Sequence, residues 1–264
     1  MKNKQLTEEG RDAWEIELTG GPGQDCPTCP NYNYSDLVDY YWPALISGVE
    51  YYSGQNTLQY VGHSNACRVA LSSLEKYQAS GKNNAGYVFN QQTGLYELKD
   101  LAVNPVETFV GVACPGTFVG DSKFIELVQA NGQNLINYLS SNGKTHLTMK
   151  EVGQQLKAPL TIFFNSPAMI SKNLMQFYLD RVNDVQDAQP GNVTINKILL
   201  VGGTFSLLEL LSHDNDDDGI VTIDDISGIN QKIISPNKNM ILFNISHENL
   251  PDNPTIKFKI KEVL

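Results

Sequence analysis

Short apolar, β-branched segments alternate with helical patterns along the chain. Five such segments, each bounded by glycine or polar turns, are predicted to be buried strands: 13–18, 58–61, 108–113, 197–201 and 240–245. Apolar residues at spacings of three and four predict a helix over 34–52, and a second helix over 65–77 follows the second strand directly. This alternation predicts an α/β fold in which helices wrap a mostly parallel sheet.

Two stretches interrupt the alternation. Residues 85–98, AGYVFNQQTGLYEL, indicate a hairpin around Gln-Gln-Thr-Gly. Residues 121–190 contain helical segments and no clear strand, and Thr148 and Glu151 form a capping-box pattern before one of the helices. These segments suit a helical cap over the sheet edge, although an insert without a substrate role also fits. The predicted organisation is a first core part (1–120), a helical cap (121–190) and a second core part (191–264).

Composition narrows the class of protein without changing the predicted fold. A length of 264 residues suits one large domain or one domain with an insert, and 41% hydrophobic with 18% charged residues is ordinary for a globular chain. The net charge of −10 argues against nucleic acid and anionic membrane surfaces as partners. It suits metal cations or neutral substrates.

Targeting signals are sparse in this sequence. No apolar run reaches the roughly 18 residues that a transmembrane segment needs. The N-terminal segment MKNKQLTEEG has no apolar signal region. The compartment is left open, with a secreted or extracytoplasmic location favoured.

The four cysteines point to little chemistry. Cys26 and Cys29 form CPTC, a spacing compatible with a redox pair, half a metal site or a local disulfide. No second CxxC completes a zinc site, and no helix begins directly after the pair. Cys67 and Cys114 lie in apolar segments and are predicted to be small core residues.

The segment YVGHSNACRVALSSLEKY (60–77) carries the strongest functional pattern. A predicted strand, Gly-His-Ser-Asn-Ala and a predicted helix match a nucleophile elbow, a strained turn whose flanking positions must be small. Gly62 and Ala66 meet that need. On these residues the chain resembles the α/β-hydrolase superfamily, in which the GHS form is commonest among lipases and esterases, although Ala66 replaces the usual last glycine. The resemblance implies Ser64 as the nucleophile and the backbone N–H of Asn65 as an oxyanion donor.

His247 is the predicted general base. It follows the last predicted strand in MILFNISHENLPDN, which resembles the terminal block of the superfamily: a strand, a histidine and a short polar loop with proline. A base just beyond the carboxyl end of a strand can reach a serine two strands away. His63 precedes the serine and is expected to point away from it, so it is not assigned as the base.

The predicted acid lies in HDNDDDGIVTIDD (213–225). The superfamily order is nucleophile, acid, histidine, and lipase-like relatives place the acid directly before a Gly-aliphatic-Val triplet. The resemblance therefore implies Asp218, with Asp216 and Asp217 as the nearest alternatives. The acid would orient His247 and stabilise its imidazolium.

The same acidic segment also fits a calcium loop of the EF-hand or dockerin kind. In that interpretation Asp214, Asp216 and Asp225 are candidate ligands of a structural calcium ion. A carboxylate that binds calcium would not easily serve His247 as well, because the divalent charge opposes an adjacent imidazolium. An acidic surface loop without metal is the third alternative.

The two ends of the first core part are less informative. ACPGTF (113–118) resembles the Pro-x-x-Gly block that follows the sixth strand in lipases. TGGPG (19–23) is either an oxyanion loop or the end of the superfamily's fourth strand. The spacing to Ser64 favours the latter, and then the first three strands and the second oxyanion donor would lie before Met1.

Taken together, the motifs predict a serine hydrolase that cleaves carboxylic esters through an acyl-enzyme. Ser64, Asp218 and His247 form the expected triad, no cofactor is required, and the partner is a small-molecule ester or lipid. The alternative is a calcium-binding element at 214–225 in a non-catalytic or pseudo-hydrolase scaffold.

Overall fold

The computed structural model describes residues 10–19, 31–79, 85–100, 104–116, 123–155, 169–183, 193–205, 218, 220–247 and 249–264. The first elements in chain order are α1 (Tyr34–Asp36), a π-helical turn (Leu37–Tyr41), α2 (Trp42–Ser53), β1 (Leu58–His63), α3 (Asn65–Ala79), β2 (Ala85–Asn90), β3 (Leu95–Asp100) and β4 (Val106–Val112). There follow α4 (Lys123–Ser141), β5 (His146–Thr148), α5 (Met149–Gln155), β6 (Met169–Ser171) and α6 (Lys172–Asn183). The last are β7 (Val193–Thr194), β8 (Lys197–Gly203), α7 (Ile223–Lys232), β9 (Ile233–Ile234), β10 (Asn237–Phe243) and α8 (Pro254–Val263).

Four parallel strands form the central sheet in the order β1-β4-β8-β10. The central strands β4 and β8 are buried along nearly their whole length, as expected when helices cover both faces of a sheet. Leu71 of α3 and Ile226 of α7 belong to the core cluster on one face, while Ile256 and Ile260 of α8 belong to the cluster on the other. Because the strands are parallel, their carboxyl ends lie at one edge.

Four of the five predicted strands are confirmed as β1, β4, β8 and β10, with boundaries shifted by a few residues. The mostly parallel sheet wrapped by helices is confirmed as well. The predicted helix over 34–52 forms as α1, the π-helical turn and α2 in succession. Its start carries a capping box between Asn33 and Asp36, and it ends at Gly54 in the left-handed conformation, with φ at 70°.

The predicted strand over 13–18 is wrong, because residues 11–18 form no strand. Ile16 and Leu18 pack against the core while Trp14 is 44% exposed, so side-chain packing alone produces the alternating pattern. A cavity of about 580 Å³ lies beside β1 and is lined by residues 11–16 and 58–61. The cavity lies where residues 11–16 would have to form backbone hydrogen bonds with β1 if they were a strand of the sheet.

The predicted hairpin over 85–98 is confirmed as the antiparallel pair β2–β3. Its turn is stabilised by the Asn90 side chain, which accepts from the N–H of Gln92 at 2.9 Å. Gly94 lies in the left-handed region, with φ at 69°, which glycine adopts at low cost.

Residues 123–155 and 169–183 lie within the predicted cap and contain α4, α5 and α6. The expectation of no strand there is wrong, since β5 and β6 form an antiparallel pair. Three-residue strands are too short for sequence periodicity to reveal. The predicted capping box is present: the Thr148 N–H donates to Glu151 Oε2 at 2.9 Å, and the Glu151 N–H donates to Thr148 Oγ1 at 3.2 Å.

Leu135, Leu139, Leu147 and Leu179 belong to a hydrophobic cluster that these helices share. Tyr178 and Ile170 are partly buried against both this cluster and the main core. In the described part of the chain, no helix combines the length and apolar character needed to cross a membrane.

Candidate active site

Ser64 occupies the tight turn between β1 and α3. Its φ of 52° lies in the left-handed region, which is strained for a residue with a side chain. The Ser64 N–H donates to the Val112 carbonyl at 2.9 Å, and the Ser64 carbonyl accepts from the Cys67 N–H at 3.0 Å. A Cβ at Gly62 would lie 2.9 Å from Cys67 Cα, so the turn requires glycine there. The strained elbow predicted around this serine is therefore present.

Asp218 lies beyond the carboxyl end of β8 and is fully buried. Its Oδ1 accepts from the backbone N–H groups of Ile220 at 3.1 Å and Val221 at 2.8 Å. Its Oδ2 lies 3.0 Å from Nδ1 of His247. Both carboxylate oxygens thus have donors, which compensates the cost of burying the charge.

His247 lies on the loop after β10 and is 5% exposed. Its Nε2 is 3.0 Å from Ser64 Oγ, and its backbone N–H donates to the Asp218 carbonyl at 2.8 Å. Because a carboxylate only accepts hydrogen bonds, the proton of the neutral imidazole is on Nδ1. Nε2 is then the acceptor facing the serine hydroxyl. The structure brings the three predicted residues together in the arrangement that lets a histidine deprotonate a serine.

Asn65 is the first residue of α3, so its backbone N–H has no partner within the helix. This N–H is the predicted oxyanion donor, and it directly follows Ser64 in the chain. The Tyr178 hydroxyl of α6 donates to Oδ1 of Asn65. Burial raises the pKa of the Tyr178 phenol, which keeps it protonated as a donor. No local sequence pattern marks this contact, because the two residues are 113 positions apart.

Arg68 anchors the same cap helix to the elbow. It is buried, its Nε donates to the Tyr34 hydroxyl at 3.2 Å and its Nη1 donates to the Gly116 carbonyl. Its guanidinium lies 5.3 Å from the ring centroid of Tyr34 and 5.8 Å from that of Phe177 in α6. Cation–π contacts and hydrogen bonds to charged donors are among the stronger polar interactions in a protein interior.

His63, the residue before Ser64, contacts His247. Its Nε2 lies 3.2 Å from the His247 carbonyl oxygen, and the two imidazole centroids are 4.9 Å apart. Burial, reinforced by the nearby His247, lowers the pKa of His63 to about 3. An imidazole with so low a pKa is a poor proton acceptor, and its Nε2 is engaged by the His247 carbonyl, so His63 is not assigned as the base for Ser64.

The interpretation of Cys67 and Cys114 as separate core residues is incomplete, because the two form a disulfide. Both are buried, as predicted. Cys67 lies just after β1 and the elbow, and Cys114 lies just after β4. Because β1 and β4 are adjacent parallel strands, both cysteines lie at the carboxyl edge of the sheet. A Cβ at Gly111 would lie 2.7 Å from Cys67 Sγ, so glycine leaves room for the bridge. Strand order was the signal that could have revealed the pairing.

The calcium prediction stays a prediction. Asp214 and Asp216, like Asp217, lie outside the described residues. Asp225 is buried, and its backbone N–H donates to Thr222 Oγ1 at 3.1 Å in the N-cap of α7. Among the residues that the structure describes, no cluster of three or more His, Cys, Asp or Glu side chains could hold a metal ion. The CPTC pair and the GGPG segment also fall outside the described ranges.

Comparison with known proteins identifies the architecture. No protein-family model and no curated protein matches the chain. Among solved structures, a proposed hydrolase from Agrobacterium vitis S4 is similar with a TM-score of 0.50 at 13% identity, over 88% of this chain and 67% of that one. The chain has the α/β-hydrolase fold.

Two further α/β-hydrolase structures are similar to this chain at lower scores. Alpha/beta hydrolase domain-containing protein 10 from mouse has a TM-score of 0.47 at 10% identity, covering 90% of this chain and 70% of that one. A monoacylglycerol lipase from Paleococcus ferrophilus has a TM-score of 0.46 at 11% identity, covering 89% and 75%. In an α/β-hydrolase the nucleophile, acid and histidine follow one another in sequence, which is the order of Ser64, Asp218 and His247.

Proposed function

We propose that the protein is a serine hydrolase that cleaves carboxylic esters, of the lipase or esterase kind. The observation that carries the proposal is the pair of 3.0 Å contacts of His247, from Nε2 to Ser64 Oγ and from Nδ1 to Asp218 Oδ2. A serine whose proton can pass to an oriented imidazole is a nucleophile at neutral pH.

In the acylation step, Ser64 Oγ attacks the acyl carbon of the ester and its proton passes to His247 Nε2. The backbone N–H of Asn65 donates to the oxyanion of the tetrahedral intermediate. The ester C–O bond then breaks, and the Nε2 proton passes to the leaving oxygen. The products of this step are an alcohol and an acyl-enzyme on Ser64.

In the deacylation step, water gives a proton to His247 Nε2 and attacks the acyl carbon. The bond to Ser64 Oγ breaks, the proton returns to the serine, and the carboxylic acid leaves. Asp218 stays ionised throughout and stabilises the imidazolium in both steps. The reaction therefore needs no cofactor.

The cap supports an acyl or otherwise hydrophobic substrate. Helix α6 reaches the elbow through Tyr178 and Asn65, so part of the cap lies directly beside the nucleophile. Ile170 and Tyr178 are partly buried hydrophobic residues of the cap that also pack against the main core. Apolar surface close to the reacting serine favours acyl chains over polar peptide substrates.

The proposal is tested by turnover of p-nitrophenyl esters of increasing acyl length. We expect activity that Ser64→Ala reduces by at least roughly 10⁴-fold. Ser140→Ala is the matched control, because this serine is exposed on α4 and its hydroxyl donates to the Ile136 carbonyl of the same helix at 3.0 Å. Equal turnover in the wild type and Ser64→Ala would contradict the proposal.

A further inference from the structure

His63 contacts the main chain of the residue proposed as the general base. It is the last residue of β1, directly before Ser64. Its Nε2 lies 3.2 Å from the carbonyl oxygen of His247. A carbonyl oxygen only accepts hydrogen bonds, so His63 must be the donor and must carry its proton on Nε2.

The loop that carries His247 needs such restraint. His247 lies beyond the end of β10 rather than within the sheet, so strand pairing does not position it. Its backbone N–H is bonded to the Asp218 carbonyl at 2.8 Å, and its ring is bonded to Asp218 and Ser64. The bond from His63 restrains the carbonyl side, so both peptide groups that flank the His247 Cα are held.

The two rings also pack against each other. Their centroids are 4.9 Å apart with 46° between the planes. Burial and the neighbouring His247 lower the pKa of His63 to about 3. His63 therefore carries no charge at neutral pH and does not repel the imidazolium that forms during each step of the reaction.

We propose that His63 is a positioning residue that holds the main chain of His247, so that Nε2 stays within hydrogen-bonding distance of Ser64 Oγ. The inference rests on the proposed serine-hydrolase function. Misplacement of a reacting group by about 1 Å can cost on the order of 100-fold in rate. Because His63 acts on the base, its loss should lower kcat and leave KM nearly unchanged.

Three substitutions separate the hydrogen bond from simple packing. His63→Gln keeps an N–H donor, His63→Met has nearly the same length without a donor, and His63→Phe keeps a ring without a donor. His146→Phe is the control for losing a buried histidine elsewhere, since His146 lies in β5 and is 7% exposed. Thermal unfolding of each variant identifies any that do not fold. If His63→Phe does not fold, the comparison of His63→Gln with His63→Met still shows whether the hydrogen bond or the packing of the side chain matters.

We expect His63→Met and His63→Phe to lower kcat and the rate of fluorophosphonate labelling by about 10- to 100-fold. KM should change by less than about two-fold, and His63→Gln should recover most of the loss. Wild-type turnover in His63→Met, or equal losses in His63→Gln and His63→Met, would overturn the inference.

A measurement that does not depend on activity completes the test. The proton between His247 Nδ1 and Asp218 gives an NMR signal at low field. This signal should persist in His63→Gln and be lost or displaced in His63→Met; an unchanged signal in His63→Met would overturn the inference. If the wild type shows the signal but no turnover that depends on Ser64, the proposed function fails, and the comparison of this signal in His63→Gln and His63→Met still decides whether His63 holds His247 in place.

Discussion

At the scale of single residues, the candidate site depends on which hydrogen bonds each of the two carboxylate oxygens of Asp218 accepts. Oδ1 accepts from two backbone N–H groups, of Ile220 and Val221, and only Oδ2 faces His247. This arrangement favours a triad acid over a calcium ligand, because both oxygens already have hydrogen-bond donors. The backbone N–H groups that follow Asp218 orient its carboxylate, and the carboxylate orients the His247 ring.

Asp218→Asn should abolish most turnover while the protein stays folded. The asparagine oxygen would keep the two backbone donors, so its NH₂ group would face Nδ1 of His247. The imidazole would then adopt the tautomer with its proton on Nε2, which cannot accept the serine proton. We expect kcat to fall by roughly 10³- to 10⁴-fold, with little change in melting temperature. Retention of wild-type kcat in the folded variant would show that Asp218 is not the acid.

At the scale of secondary structure, the site is assembled where parallel strands end. The elbow follows β1, Asp218 lies beyond β8 and His247 follows β10. Gly203 ends β8 at the point where these last two loops meet. A Cβ there would lie 2.2 Å from the Ile245 carbonyl oxygen and 2.6 Å from Asp218 Cβ. The loops that carry Asp218 and His247 therefore approach each other only because this position has no side chain.

Gly203→Ala should separate these two loops. We expect a loss of stability of about 1–3 kcal/mol, as for other overpacked sites, and a loss of activity larger than the fraction unfolded explains. Gly48→Ala is the matched control, because a Cβ on this helical glycine would meet nothing within 4 Å. It should leave activity unchanged and raise stability by up to about 1 kcal/mol. Urea unfolding and ester turnover measure both effects, and equal behaviour of the two variants would contradict the account.

Some secondary-structure elements could be predicted from the sequence and others could not. Strands β1, β4, β8 and β10 were predictable because each is a buried, β-branched run between turns. Residues 13–18 (AWEIEL) were also predicted to be a strand, but Ile16 and Leu18 pack against the core without hydrogen-bonded pairing to β1. Ser64 and His247 were predicted from local motifs that closely follow a strand. Asp218 lies well beyond Gly203, the last residue of β8, and was predicted from the Gly-Ile-Val triplet that follows it. The contacts of His63 and Tyr178 depend on residues far away in sequence, so no local motif marks them.

At the scale of the whole molecule, the disulfide between Cys67 and Cys114 joins the elbow to the neighbouring strand. It closes a loop across 47 positions of sequence and lies within the core. Such crosslinks are typical of proteins in oxidising compartments. The bridge restrains the unfolded chain and holds the first turn of α3 against the end of β4.

Removing the bridge should destabilise the whole fold. For a loop of this length, chain entropy predicts a loss of about 4 kcal/mol in the double variant Cys67→Ala/Cys114→Ala. Urea unfolding measures that loss, and thiol titration of the denatured wild type checks that neither cysteine is free. An unchanged unfolding midpoint, or two free thiols at these positions, would contradict the assignment of the disulfide.

The central claim, that Ser64 is the activated nucleophile, is tested most directly by mass spectrometry after treatment with a fluorophosphonate. We expect the intact protein to gain the mass of one phosphonyl group, which peptide mapping assigns to Ser64, and we expect no mass gain in Ser64→Ala or in heat-denatured protein. A folded wild-type protein that stays unmodified, or one modified at another serine, would contradict the account.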